Sequence, residues 1–165
     1  MIRKIVSGGQ TGVDRAALDW AIGHGVSHGG WCPAGRRAEN GVIPMRYRLR
    51  ETPGRNYEQR TRWNVQDSDA TLIVSASPEL SGGSLATRQW AQKMKRPCLH
   101  VYPGTEWRER TTAFFETVPV QILNVAGPRS SGTPGLEPFV HEVLNLLRSS
   151  GKISETDKTS GQLTG

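Results

Sequence analysis

The chain has 165 residues and a formal net charge of +6, with 21 Lys and Arg against 15 Asp and Glu. That length suits one domain, and no apolar run approaches the roughly 18 residues that a membrane span needs. The N-terminus lacks the apolar region and cleavage site of a signal peptide, and Cys32 and Cys98 show no metal-ligand spacing. We therefore expect a cytoplasmic protein with free thiols, no bound metal and no membrane partner.

Hydrophobic periodicity predicts strands and helices in alternation. The predicted strands are 2–7, 26–32, 70–75, 98–102 and 120–125, and the predicted helices are 14–24, 57–67, 85–95, 105–116 and 136–148. The strand at 70–75 is apolar nearly throughout, which is typical of a strand covered on both faces. The alternation predicts an α/β fold: a doubly wound, mostly parallel sheet of about five or more strands with helices on both faces.

Residues 1–148 are predicted to form a single ligand-binding domain. Residues 149–165 are polar and contain no aromatic residue, so we expect a C-terminal tail that is mobile or ordered only by a neighbour. Within the domain, residues 34–56 are rich in Gly, Pro and Arg, which predicts a long loop of the kind that covers a ligand.

The basic residues are concentrated in one segment. Between Gly35 and Arg62 there are eight arginines and only three acidic residues. The planar guanidinium group suits bidentate recognition of phosphate, so Arg36 and Arg37 are candidate phosphate contacts. The alternatives are a solvated loop, or arginines that pair with acids across a subunit contact.

The most specific motif is the glycine turn of residues 7–12, between the first strand and the first helix. Glycines allow close backbone approach, and the unpaired N–H groups at a helix N-terminus attract anions. No Gly-Lys-Ser/Thr follows, which excludes a Walker A loop, and no acid follows the second strand, which disfavours a standard NAD site. We predict phosphate binding here, with a tight strand–helix turn as the alternative. The candidate residues are Gly8, Gly9, Gln10, Thr11 and Gly12.

Two further segments follow the third and fifth predicted strands. Their candidate residues are Gly82, Gly83, Ser84, Thr87, Asn124, Gly127 and Arg129. Ligands of doubly wound sheets bind outside the carboxyl ends of the strands, so we expect both segments to share one crevice with the glycine turn. Arg129 could then contact phosphate and Asn124 the edge of a base or pterin, although a plain surface turn at 124–129 is an equal alternative.

Two acids are candidate general bases. Asp14 lies in the first turn of the first helix, where complementing the helix dipole is the favoured role, and Glu39 lies in the arginine-rich loop. Cys32 is expected to be a small buried hydrophobe rather than a ligand or nucleophile. Trp31 is the tryptophan we expect to be available for stacking on a ring.

Four segments carry a family resemblance: 8–18 (GGQTGVDRAAL), 30–41 (GWCPAGRRAENG), 64–73 (NVQDSDATLI) and 124–129 (NVAGPR). They resemble the molybdenum (cofactor) carrier family, which belongs to a Rossmann-like group that includes the lysine-decarboxylase-like, lonely-guy phosphoribohydrolases. The resemblance covers residues 1–148. It implies a Rossmann-like fold with a nucleotide or pterin site formed by the glycine turns, and a homo-oligomer of two or more copies.

The chain departs from the phosphoribohydrolases at the second glycine turn. Those enzymes carry Pro-Gly-Gly-x-Gly-Thr-x-x-Glu there, and the glutamate works in glycosidic cleavage. Residues 80–89 read LSGGSLATRQ and contain no glutamate. That hydrolase chemistry is therefore not carried over by the resemblance.

The preferred hypothesis is binding, and by the family name carriage, of a phosphate-bearing small molecule: a molybdopterin-type cofactor or a nucleotide. The alternative is a nucleotide-processing hydrolase or transferase that uses Asp14 or Glu39 as a base. Nucleic-acid binding through the arginine segment is disfavoured, because the arginines lack the interleaved aromatic residues of a single-strand binder.

Overall fold

The computed structural model describes residues 1–104 and 106–154. Its strands are β1 (Lys4–Val6), β2 (Ser27–Gly29), β3 (Trp31–Cys32), β4 (Arg37–Ala38), β5 (Gly41–Val42), β6 (Arg50–Glu51), β7 (Ala70–Val74), β8 (Cys98–Val101) and β9 (Ile122–Ala126). Its helices are α1 (Val13–Gly23), α2 (Tyr57–Gln66), α3 (Gly82–Lys93), α4 (Trp107–Thr117) and α5 (Glu137–Ser149). The predicted start of the fourth helix, residue 105, lies outside the described residues.

The central sheet has five parallel strands in the order β2-β1-β9-β7-β8. The last strand, β9, is inserted between the first strand and β7, with Lys4 opposite Ile122 and Thr71 opposite Asn124. Because all five strands are parallel, their carboxyl ends meet at one edge. The segments that follow β1, β7 and β9 are therefore neighbours.

Helices cover both faces of this sheet, which confirms the predicted α/β, Rossmann-like architecture. α1 packs against α5 and α5 against α4, whereas α2 packs against α3. All five residues of β7 are buried, as predicted for a strand covered on both sides. α5 contributes an apolar stripe at helical spacing, and its buried members are Val140, Val143, Leu144 and Leu147.

The predicted second strand at 26–32 is interrupted at Gly30. This glycine has φ +127°, and a Cβ added there would lie 2.2 Å from the Ser7 carbonyl oxygen. β2 consequently ends at Gly29, and β3 leaves the central sheet to pair with β6. The single strand predicted at 26–32 is therefore two short strands, β2 and β3, because the chain passes close to the backbone of Ser7 at Gly30.

The predicted loop at 34–56 is ordered around a small core of its own. Leu18, Cys32, Ala38, Ile43 and Tyr47 form a buried cluster separate from the main core. β4 and β5 make a short antiparallel hairpin above it, and Glu39 and Asn40 lie at its tip. This loop lobe, residues 33–56, lies over the glycine turn and fixes which of its atoms remain accessible.

The first part of the predicted tail is built into the fold. α5 extends to Ser149, and Ile153 is buried in a parallel bridge with Ile2. The Ile2 N–H donates to Lys152 O at 2.8 Å, and the Ser154 N–H donates to Ile2 O at 3.0 Å. The remainder of the predicted tail, residues 155–165, lies outside the described residues. Among the described helices, none has the length and apolar character needed to span a membrane.

Candidate functional site

A cavity of about 340 Å³ opens at the carboxyl edge of the sheet. Its walls come from the glycine turn, α2, the start of α3 and the segment that follows β9. The sequence-predicted residues that line it are Gln10, Asp14, Gly82, Gly83, Ser84, Thr87, Gly127 and Arg129. The order of the strands therefore brings together the three segments that the sequence placed at this edge.

The N-terminus of α3 supplies free donors to this cavity. The backbone N–H groups of Gly82, Gly83 and Ser84 have no acceptor among the described residues, as the first turn of a helix requires. No acidic side chain lies in this turn. A Cβ added at Gly83 would meet no atom within 4 Å, so the cavity is open here. Partial positive charge and unpaired amides make this end of α3 suitable for an anion.

Gln10 adds a buried donor from the opposite wall. Its side-chain Oε1 accepts from the Thr11 N–H at 3.1 Å and from the Glu39 N–H at 3.0 Å, which fixes the orientation of the amide. The residue is 4% exposed, and its Nε2 has no hydrogen-bond partner within the described chain. An unsatisfied buried donor costs about 1–3 kcal/mol, which a ligand acceptor would relieve.

Arg60 and Asp14 both line the cavity, and they form a buried ion pair. Arg60 Nη1 donates to Asp14 Oδ2 at 3.0 Å, with 12% and 5% of the two side chains exposed. Burial raises the pKa of Asp14, although the Arg60 guanidinium acts in the opposite direction. Arg60 Nε is a second buried donor without a partner in the part of the chain that is described.

Several amides at the glycine turn and the start of α1 are bound by protein groups. The Gln10 N–H donates to Asp14 Oδ2 at 3.1 Å, in place of the phosphate oxygen we expected there. The Thr11 N–H is bound to Gln10 Oε1, and the Val13 N–H donates to Pro128 O at 3.3 Å. The carboxylate of Asp14 thus accepts from the amide of Gln10, for which we expected an anionic ligand, whereas the three amides at the start of α3 have no acceptor among the described residues.

Three glycines of the turn are in close contact with other parts of the chain. A Cβ at Gly8 would lie 1.6 Å from Arg60 Nη1, and one at Gly12 would lie 2.6 Å from Pro128 O. Gly9 lies beneath Leu49 of the loop lobe. None of the three lines the cavity. As the sequence indicated, other groups approach the backbone of the turn closely. In the structure these groups are parts of the protein itself and not of a ligand.

Arg36 is not free to bind phosphate, which corrects the prediction for this residue. Its guanidinium donates to the carbonyl oxygens of Ile43 at 3.0 Å, Pro44 at 2.8 Å and Tyr47 at 2.7 Å. The side chain is buried and holds the loop lobe together. Arg37 is exposed, donates to Arg55 O at 3.0 Å and does not line the cavity.

Glu39 joins the loop lobe to two other segments. It accepts hydrogen bonds from the Thr11 hydroxyl and from the Ser131 N–H and hydroxyl, and Arg129 Nη1 lies 3.9 Å from Oε2. The hydrogen bonds from Ser131 and Thr11 lower the pKa of Glu39. A carboxylate held in its charged form by several donors is poorly suited to accept a proton, so this geometry favours a positioning role.

The structure also separates Asn124 from the cavity. Asn124 is buried within β9 and donates through Nδ2 to Thr71 Oγ1 at 3.2 Å, so it is not placed to contact a base or pterin. Gly127 lies where β9 leaves the sheet, and a Cβ there would be 2.2 Å from Val74 O. Arg129 is partly exposed at the rim of the cavity.

Comparison with known proteins identifies the family. A model of the circularly permutated YpsA SLOG family matches residues 5–148. The crystal structure of "Putative molybdenum carrier protein" from Syntrophus aciditrophicus SB, at 1.45 Å resolution, is 44% identical and superposes with a TM-score of 0.83. That match covers 88% of this chain and 94% of the other.

The chain belongs to the circularly permutated YpsA SLOG family. The resemblance to molybdenum carrier proteins found in the sequence is thereby confirmed, and family membership supports a ligand-binding role in general. A search of curated proteins returns no match.

In this member of the SLOG family, Arg60 and Thr61 are lining residues that sequence reasoning missed. Arg60 is one of eight arginines in its segment, and composition could not rank it above the others. Trp31, the tryptophan expected to be available for stacking, instead donates to Asp67 at 2.8 Å and packs edge-on against Trp63. Cys32 is fully buried, as expected for a small hydrophobe.

Proposed function

We propose that this protein binds a phosphate-bearing small molecule, with the phosphate at the N-terminus of α3. The observation that carries the proposal is the convergence of unused donors on one cavity. Gly82, Gly83 and Ser84, whose amides have no acceptor among the described residues, line it together with Gln10, whose buried Nε2 has no partner there either. A phosphate group has several acceptor oxygens and negative charge, which matches this set of donors and the positive end of the helix dipole.

Electrostatics at the rim agree with this proposal. Arg129 lines the cavity, and its guanidinium can turn toward a bound anion because its contact with Glu39 is long, at 3.9 Å. Arg60 is held by Asp14, so the pair adds hydrogen-bond donors without adding net charge. Arg129 and the end of α3 therefore supply the positive potential.

A molybdopterin-type cofactor and a nucleotide both carry phosphate, and both remain candidate ligands. The cofactor is favoured by the name of the Syntrophus relative, and the nucleotide by the Rossmann-like fold. The cavity wall around the α3 amides suits the phosphate that the two ligands share. Mass spectrometry of small molecules released from the purified protein would distinguish them.

Substitution of Gly83 by aspartate tests the site. The new side chain would enter open space, and an acid in the first turn of a helix is stabilising, so Gly83→Asp should fold normally. Its carboxylate would repel a phosphate from the amides of α3. We expect at least a tenfold loss of affinity for inorganic pyrophosphate by calorimetry. Gly104→Asp, also in open space but outside the cavity, should change it less than twofold.

A second candidate function, nucleotide hydrolysis or transfer, is favoured by Asp14. Its carboxylate lines the cavity, is 5% exposed and has a pKa raised by burial, which are properties of a general base in a cleft. Asp14→Asn should then abolish turnover of nucleoside monophosphates while retaining their binding. A wild-type protein that binds nucleotides but turns none over would exclude this second function.

A further inference from the structure

A second opening continues from the cavity along the seam between α2 and α3. This groove has a volume of about 490 Å³. Thr61, Gly82, Gly83 and Arg129 line both the groove and the cavity, so the two spaces adjoin each other. A ligand whose phosphate occupies the end of α3 can therefore extend into the groove without leaving the protein surface.

Residue size along one face of α3 creates the groove. Gly83, Ala86, Trp90 and Lys93 follow one another at three- or four-residue intervals, so they lie on the same face of the helix. Gly83 and Ala86 leave space beside α2, and Trp90 supplies a large apolar wall farther along. From Gly83 to Trp90 the helix rises by about 10 Å, which is enough for an extended ligand.

Aromatic and cationic groups alternate around this space. Tyr57 stands on the α2 side, with the Arg129 guanidinium 5.2 Å from its ring centroid. Trp90 stands on the α3 side, with Lys93 Nζ 4.9 Å from its ring centroid. Glu58 is the one acid on the described lining. Aromatic walls favour a planar apolar group, and the two cations favour one that carries carbonyl oxygens or negative charge.

We propose that the groove binds the planar heterocycle of the ligand, between Tyr57 and Trp90, while the phosphate of the same molecule occupies the N-terminus of α3. The inference rests on the proposed phosphate site and adds to it a binding place for the ring of a phosphorylated planar heterocycle, such as a purine nucleotide or a pterin phosphate. It also assigns ring recognition to Trp90, in place of the Trp31 indicated by the sequence.

Phosphate binding and ring binding are measured separately by using two kinds of probe. Inorganic pyrophosphate contacts only the phosphate site, whereas GMP, AMP and a pterin monophosphate also offer a ring. Wild-type protein should bind at least one ring-bearing probe ten times more tightly than pyrophosphate, and the better class of probe identifies a purine or a pterin. If no ring-bearing probe binds more tightly than pyrophosphate, the groove adds nothing and the inference is overturned.

Two groove variants complete the test. Trp90→Ala removes the wall and Ala86→Phe fills the space, so either should remove the advantage of the ring-bearing probe and change pyrophosphate affinity less than twofold. Retained pyrophosphate binding also shows that each variant is folded. Trp31→Ala is the matched control and should affect neither probe.

The outcomes separate the two proposals. The groove assignment would be overturned if both groove variants bound the ring-bearing probe as tightly as the wild type does. It would also be overturned if they lost equal affinity for the ring-bearing probe and for pyrophosphate. Unchanged pyrophosphate binding in Gly83→Asp would instead overturn the phosphate site on which the groove proposal rests.

Discussion

Arg60 reaches from α2 to the carboxylate of Asp14 at the start of α1, with 3.0 Å between Nη1 and Oδ2. The guanidinium covers Gly8, where even a methyl group would collide with it. This pair closes one side of the glycine turn and forms part of the cavity wall. We therefore expect removal of the ion pair to act first on the stability of the fold, and on ligand binding only as a consequence.

Asp14→Ala should destabilise the protein by about 3–5 kcal/mol, because it leaves the Arg60 charge buried without its partner. Urea denaturation measures the change in the free energy of unfolding. Arg129→Ala is the control: its 3.9 Å contact with Glu39 is partly exposed, so we expect a loss below about 1 kcal/mol. Equal losses in the two variants would contradict the structural role of the buried pair.

Gly127→Ala should destabilise the fold by about 1–3 kcal/mol, the usual cost of overpacking. The added Cβ would lie 2.2 Å from Val74 O and 2.6 Å from Val13 Cγ2, where β9 passes β7 and α1. Gly23→Ala is the matched control, because a Cβ at the end of α1 meets nothing within 4 Å. Thermal unfolding should show a lower midpoint for the first variant and an unchanged or higher one for the second.

Arg36→Lys should loosen the loop lobe, because one ammonium group cannot replace a guanidinium that reaches four carbonyl groups. We expect faster amide hydrogen exchange across residues 37–50 and little change in the central sheet. Arg55→Lys, on the exposed side of the same lobe, should exchange like the wild type. Equal exchange rates at residues 37–50 in the wild type and both variants would show that Arg36 does not hold the lobe.

Glu39→Gln should reduce stability at neutral pH and lose its effect in acid. Hydrogen bonds from Ser131 and Thr11 place the folded-state pKa of Glu39 below its ordinary value of 4.5. The stabilisation is therefore present above that value and is lost as pH falls through the folded-state pKa. Thermal midpoints of both proteins, measured from neutral to acidic pH, should converge at the acidic end; a constant gap would contradict the assignment.

Both cysteines should react slowly with iodoacetamide at pH 8 in the folded protein. Burial raises the pKa of Cys98 to about 11 and also raises the pKa of Cys32, so little of the reactive thiolate is present. Labelling followed by mass spectrometry should show both thiols modified rapidly only after unfolding in urea. Rapid native labelling of Cys32 would show that the loop lobe opens readily.

Local patterns in the sequence were sufficient for the framework. The alternation of elements, the apolar run of β7 and the glycine-led start of α3 are local features of the sequence, which periodicity and turn chemistry report directly. Because the carboxyl ends of parallel strands share an edge, the sequence also indicated that segments at 8–12, 82–87 and 124–129 would meet.

The roles of individual side chains were decided only by tertiary structure. Asp14 meets an arginine 46 positions away, and Arg36 finds its acceptors in the lobe that it helps to fold. Two amides of the first glycine turn, those of Gln10 and Thr11, are consequently bound by protein groups, and the amides that line the cavity without a protein acceptor among the described residues are those of α3. The sequence has eight arginines in one segment and five tryptophans, and from them it indicated Arg36, Arg37 and Trp31. The contact of α2 with the start of α1 places Arg60 in the cavity wall, and the packing of α2 against α3 places Trp90 in the groove, because distance between side chains is a property of the folded chain.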